Sequence, residues 1–137
     1  MKMAILTDTH CGIRNSSEVF LDNAEDFYTN IFFPECEKRG VKQILHLGDY
    51  YDHRKFVNFK ALNQNRRVFL DQLRKNNMTM DIIPGNHDTY YKNTNELNAL
   101  KECLGHYMNE IHIVMEPTVM QYGSLSIALL PWICADN

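Results

Sequence analysis

A chain of 137 residues, 45% of them hydrophobic and 23% charged, has room for one domain with a real core and not for two. No apolar run approaches the roughly 20 residues that a membrane span requires, and a net charge of -3 argues against a protein that coats nucleic acid by bulk positive charge. Four scattered cysteines without a C-x-x-C pair, behind an N-terminus that runs straight into a strand, point to a reducing cytosol rather than a disulfide framework or a zinc knuckle.

The first predicted strand covers residues 2–8 and ends in Asp8-Thr9-His10-Cys11-Gly12. In extended backbone, positions two apart point to one side, so Asp8 and His10 are expected to converge on one point. By itself a D-x-H triplet reads more readily as a polar loop than as a ligand pair. Ser16-Ser17-Glu18 offers a helix N-cap, and Phe20, Ala24, Phe27 and Ile31 follow at helical spacing as the face expected to meet a sheet. Pro34 predicts a kink or break, with a last turn ending near Gly40.

A second strand is predicted over 42–48, where Gln43-Ile44-Leu45-His46-Leu47-Gly48 leads into Asp49-Tyr50-Tyr51-Asp52. An apolar run closed by a glycine and a carboxylate reads as a buried parallel strand that delivers an acid into a crevice. The next helix, from about 58 to 76, has apolar positions at Phe59, Leu62, Phe69, Leu70 and Leu73 and a basic stripe at Lys60, Arg67 and Arg74. Between His53 and Asn76 seven Lys/Arg face one acid, Asp71, a local balance of +6 on a chain that is otherwise -9. Such a segment either steers a polyanion to one face or is a solvated helix surface.

The third strand, about 78–83, opens into Pro84-Gly85-Asn86-His87-Asp88. A short helix is expected over 94–104, with Leu97 and Leu100 inward. The remaining strands are 111–114, 118–120 and 125–130, the last two joined through Tyr122-Gly123-Ser124 as a hairpin. The expected fold class is therefore α/β, with parallel βαβ units that carry metal ligands at the strand carboxyl ends, followed by a β-hairpin tail.

The three strand exits supply Asp8, His10, Asp49, Asn86 and His87. Carboxylate, amide oxygen and imidazole suit Mn, Fe or Zn, which leaves Cys11 a bystander. Asp49 has two oxygens and could bridge two cations about 3.5–4 Å apart, an arrangement that activates water and steadies an in-line displacement at phosphorus. A nearby imidazole could protonate the leaving oxygen, oriented by an acid such as Asp88.

In that order and spacing, Asp8-x-His10, Gly48-Asp49 and Gly85-Asn86-His87-Asp88 resemble the first three motifs of the calcineurin-like metallophosphoesterases. The run from Leu47 to Lys55 and the ending Leu130-Pro131-Trp132-Ile133 resemble one branch, the double-strand-break-repair nuclease subunits of the bacterial SbcD type and of tailed phages. The resemblance implies a metal-dependent DNA exo/endonuclease subunit acting in repair or recombination in the cytoplasm, that of the host cell if phage-encoded. It implies Asp8 and His10 on a first metal, Asp49 bridging, Asn86 on a second metal, His87 as catalytic histidine and Asp88 behind it. It also implies two Mn2+ ions, DNA as substrate, a homodimer built on the helices after the second and third motifs, and an SMC-like ATPase partner. His53, Arg54 and Lys55 are the expected substrate contacts.

The family completes its site with a later histidine and a Gly-His-x-His motif. Gly105-His106-Tyr107-Met108 begins like that motif and lacks its second histidine, and His112 has no partner ligand. Residues 1–137 are accordingly expected to be the N-terminal portion of a longer metallophosphoesterase domain, with the first metal site partly formed and the second incomplete. Two other readings stay open: a phosphomonoesterase or small phosphodiesterase using the same motifs, and a non-catalytic module for dimerisation or partner binding.

Overall fold

Four parallel strands set the frame for the site. In the computed structural model, which describes residues 1–137, they are β1 (Met3–Leu6), β2 (Gln43–His46), β3 (Thr79–Ile82) and β4 (Ile111–Ile113), in the order β1-β2-β3-β4. Leu6 pairs with His46 and His46 with Ile82. The last residues of three strands therefore stand side by side, and whatever follows each is delivered to the same edge. A separate antiparallel hairpin, β5 (Thr118–Tyr122) and β6 (Leu125–Leu129), turns through Gly123 at φ 63°. No helix is long and apolar enough to cross a membrane.

Alternation along the strands splits the core into two layers. Ile44, Met80 and Ile82 face the helices and join Tyr28, Phe32, Phe69 and Leu73 in the larger cluster. Leu45, Ile83 and Val114 face the hairpin and meet Leu129 in a smaller one. On that side the Asp81 carboxylate accepts from Tyr122 Oη (2.6 Å) and Gln43 Nε2 (3.1 Å), and His112 Nδ1 lies 3.1 Å from it. The hairpin is thus pinned to the sheet by a buried acid as well as by apolar contact. His112, expected in the tail, belongs to β4 of the main sheet.

The helical connections depart from the sequence reading in three ways. Between β1 and β2 the chain runs without a break through α1 (Glu18–Asp26), a π-helical turn (Phe27–Phe32) and α2 (Phe33–Arg39), ending on left-handed Gly40. Pro34 therefore does not stop the helix. It has no N–H to donate, and the widened turn before it, where the Phe33 N–H reaches back five residues to the Tyr28 carbonyl, makes room for its ring. The buried face is Leu21, Tyr28, Phe32 and Cys36, one residue on from the expected stripe; Phe20, Phe27 and Ile31 are exposed. Ser17 does stand at the N-cap, but its side chain makes no bond to the first turn.

Between β2 and β3, α3 (Phe59–Asn65), a second π-helical turn (Arg66–Leu70) and α4 (Asp71–Lys75) again form one continuous rod, capped by Asn58 accepting from Lys60 N–H at 2.8 Å. Ala61, Val68, Phe69, Leu70 and Leu73 are buried, whereas Phe59 is 85% exposed and outside the core. The third departure is α5 (Ala99–Leu104), shorter than expected. Asn98 caps it by accepting from Lys101 N–H (3.0 Å), and the preceding residues are held in a bridge between Thr89 and Asn98. Leu100 is fully buried and Leu97 is not.

Candidate metal centre

Beyond the strand ends the β1 and β2 exits stay laced together. Asp8 N–H donates to the Gly48 carbonyl, His10 N–H to that of Asp49 and Cys11 N–H to that of Tyr50, at 3.0, 3.0 and 2.7 Å. Asp8, His10 and Asp49 all adopt left-handed backbone, at φ 52°, 45° and 54°. Non-glycine residues enter that region at a cost of about 1–2 kcal/mol each, and such strain gathers where side-chain direction matters. The expected convergence of Asp8 and His10 is present, with His10 Nε2 3.4 Å from Asp8 Oδ1, but it arises from these left-handed turns and not from extended alternation. The Thr7 hydroxyl, 2.5 Å from Asp8 Oδ2, holds the Asp8 carboxyl below its usual range, and His10 adds to the effect.

Glycines bring the second and third exits into contact. A Cβ on Gly48, which sits at φ 100°, would lie 2.7 Å from Gly85 N; one on Gly85 would lie 2.1 Å from Asp49 Oδ1. Asp49 Oδ1 in turn accepts from His87 N–H at 2.9 Å, and Oδ2 lies 3.9 Å from His10 Nε2. The inward atom of the Asn86 amide stands 3.3 and 3.1 Å from the two Asp49 oxygens. As nitrogen it donates to them. As oxygen it faces two acceptors, a placement that a cation between them makes favourable.

One ligand atom from each of His10, Asp49 and His87 lies within 4.8 Å of the others. The two imidazoles meet edge to face, with centroids 4.9 Å apart. Asp8 and Asn86 flank this cluster, so the five residues expected to converge do so. Their donor set of carboxylates, imidazoles and an amide oxygen fits a borderline divalent cation. Cys11 is set apart: burial pushes its thiol up to about 12, and its sulfur faces the Ala61 carbonyl.

Two acids differ from the sequence reading. Asp88 does not lie behind the His87 ring. It is fully buried, Oδ1 accepting from Tyr51 N–H (3.0 Å) and Oδ2 from Gly85 N–H (2.9 Å), so it braces the Gly85 loop against the β2 exit. Burial raises its carboxyl pKa against the pull of those backbone N–H groups.

Beside the imidazoles stands Asp52, which the sequence reading left without a role. Its Oδ1 lies 3.3 Å from His10 Nδ1, its Oδ2 3.6 Å from His53 Nε2, and its carbonyl 2.6 Å from His87 Nδ1. A carbonyl only accepts, so the His87 proton sits on Nδ1 and leaves Nε2 to take or give one. Of these three contacts only the one from the carbonyl is a hydrogen bond; His10 Nδ1 and His53 Nε2 are buried without a hydrogen-bond partner, so the Asp52 carboxylate is their neighbour and not their clamp. The available signal was a second acid three residues after Asp49 at a strand exit.

The expected substrate contacts sit on the rim. His53 stacks on Phe56, the Arg54 guanidinium donates to the Thr89 carbonyl (3.3 Å) and hydroxyl (3.2 Å), and Lys55 Nζ stands 5.4 Å above the Tyr90 ring. His46 is fully buried. Gly48 N–H donates to its Nδ1 (3.2 Å), so its proton is on Nε2, 3.0 Å from Thr9 Oγ1. It ties two exits together from beneath, near enough to Asp8 and His10 to feel their charge.

Comparison with known proteins agrees with this geometry. The chain is 30% identical over 137 residues to exonuclease subunit 1 of Enterobacteria phage T4, aligning along its whole length but spanning only 40% of that protein. The crystal structure of the Pseudomonas putida nuclease MPE superposes with a TM-score of 0.52 at 19% identity, over 87% of this chain and 50% of the other, a likeness of fold. The family described as calcineurin-like phosphoesterase matches residues 1–129, and the chain belongs to that family.

Proposed function

We propose that this chain is the metal-binding part of a DNA nuclease subunit that hydrolyses phosphodiester bonds in repair or recombination, and that two Mn2+ ions serve it. The observation that carries the reading is the meeting of Asp8, His10, Asp49, Asn86 and His87 at three adjacent strand exits. Asp8 and His10 would hold the first ion, Asn86 the second, and Asp49 would serve both. Bound there, divalent cations supply Lewis-acid activation of water and neutralise charge on the phosphate.

The chain's own residues do the rest. The Asp52 carbonyl holds the His87 ring through Nδ1, which leaves Nε2 free to contact a phosphate oxygen and, when the ring carries a second proton there, to pass that proton to the leaving oxygen. Arg54 and Lys55, both without an acidic partner, lie where the strand would run. The phage relative is an exonuclease subunit, which supports a partner subunit; an SMC-like ATPase as that partner, and a homodimer on the helices between β2 and β4, belong to the same proposal. The corresponding site of action is the cytoplasm, that of the host cell if the chain is phage-encoded.

The test is cleavage of double-stranded DNA by the complete polypeptide. Mn2+-dependent cleavage that falls at least a hundredfold in His87→Ala supports the reading. Turnover of a phosphomonoester with no cleavage of DNA replaces it with a phosphatase.

A further inference from the structure

Four residues past Asp52, outside the ligand cluster, Phe56 presents an aromatic face to solvent. One face of its ring is stacked on His53, with centroids 4.3 Å apart and planes 22° from parallel, and the residue is 63% exposed. This ring stands near the metal centre: His53 Nε2 lies 3.6 Å from Asp52 Oδ2, and Asp52 Oδ1 lies 3.3 Å from His10 Nδ1, neither of them a hydrogen bond. On the side of Tyr90 it borders a groove of about 390 Å³, whose wall carries Arg54 and Lys55 against one acid, Glu102. That volume is in the roughly 300–1,000 Å³ range of sites that take small-molecule-sized groups.

We propose that the His53–Phe56 stack is a platform for an unpaired nucleobase of the DNA strand whose phosphate lies at the metal centre. The proposal rests on the nuclease reading and adds to it a preference for single-stranded ends. A flat, open π-face beside unpaired cations matches a base and its phosphate, and stacking of this kind accepts any base. A base inside a duplex has both faces covered by its neighbours, and the end pair of a blunt duplex offers its open face only as a rigid pair, so an unpaired base is the one free to lie on Phe56. Arg54, pinned to Thr89, and Lys55, above Tyr90, sit within the same groove to meet the backbone. His53 serves as the fixed underside of the stack and sets its distance from His10.

The experiment uses the 137-residue chain with Ca2+ in place of Mn2+, so that nothing is cut, and a duplex carrying a short overhang with 2-aminopurine as the unpaired base. The wild-type chain is expected to quench the 2-aminopurine and to prefer the overhang to a blunt duplex. Phe56→Ala is expected to lose the quench and that preference, with affinity for the overhang falling about 5- to 150-fold, while the dependence of affinity on salt stays the same. Phe56→Trp is expected to keep all three properties. Overhang binding and quenching unchanged in Phe56→Ala would overturn the platform and leave the nuclease reading standing. Loss of a wild-type dimer in that variant, with overhang binding intact, would assign the ring to a second copy of the chain. Failure of the wild-type chain to bind either DNA would overturn the platform and leave the nuclease reading to the cleavage test on the complete polypeptide.

Discussion

Close approach is what the individual residues of this site have in common, and it makes them intolerant of small additions. Gly85 has Asp49 Oδ1 where its Cβ would be, and the backbone nitrogen of Asp49 only 2.5 Å from the same point. Gly85→Ala therefore has to move either the carboxylate or the loop. The expected cost is about 1–3 kcal/mol of stability, seen in urea unfolding, together with at least tenfold weaker Mn2+ binding by titration. An alanine variant with wild-type values for both would mean that Asp49 has another place to go. His46 responds to pH. Burial pushes its imidazole down from 6.5 to about 4, so the unfolded chain takes up a proton in a range where the folded one refuses it. Its contribution is complete above pH 6.5 and is lost as pH falls toward 4. Between pH 7 and 4.5 the wild-type protein is expected to lose about 2 kcal/mol from this group alone. His46→Gln should show a correspondingly shallower decline in unfolding free energy across that interval.

Secondary-structure elements show which parts of the design are written locally. The strand exits were legible because an apolar run that ends on Gly48-Asp49 or Pro84-Gly85-Asn86 carries its own stop signal and its own ligand. The buried helix face was not, because α1 and the turn after it have apolar residues at both Phe20/Phe27/Ile31 and Leu21/Tyr28/Phe32, and a π-helical turn shifts the phase between its two ends. Asp52 and Asp88 were misread or passed over for a different reason. In irregular backbone a side chain's direction is set by long-range hydrogen bonds that no period encodes. The basic stripe is another case in which partners decide. Lys60 pairs with Glu18, Arg67 with Glu25 (2.8 Å) and Arg74 with Glu110 (2.7 Å), so this face is locally neutral. Exposed pairs of this kind contribute at most about 1 kcal/mol each, and a neutral face steers nothing. Changing Lys60, Arg67 and Arg74 together to Gln is expected to alter the slope of log affinity for DNA against log salt by less than one, whereas Lys55→Gln should reduce it by about one. A large drop in slope for the triple variant would restore the stripe as a DNA contact.

For the molecule as a whole, Asp49 is the point where the three strand exits become one unit. It receives His87 N–H from the third exit, stands beside His10 from the first, and follows the glycine that lets the second and third approach. The hairpin is connected to none of these directly; it hangs on Asp81 and a small apolar cluster on the opposite face of the sheet. On the proposed assignment, metal held at the two positions by Asp8 and His10, by Asp49 and by Asn86 would gather the exits without touching the hairpin. Because it binds only the folded arrangement, it raises stability by about 2.7 kcal/mol at a hundredfold excess over its dissociation constant. For a chain of this size that is a rise in Tm of roughly 8–10 °C. Hydrogen exchange with and without Mn2+ should show residues 8–12, 48–52 and 85–88 gaining protection together while residues 118–129 stay as they were. Asp49→Asn keeps the shape but gives up the charge between the two ion positions, and both effects should vanish in it. Asp88→Asn, by contrast, removes one acceptor from a buried brace and should lower Tm with and without the metal while leaving most of the Mn2+-induced increment. If Mn2+ protected the hairpin as strongly as the exits, the cation would be acting on the whole fold and the three-exit site would not be where it binds.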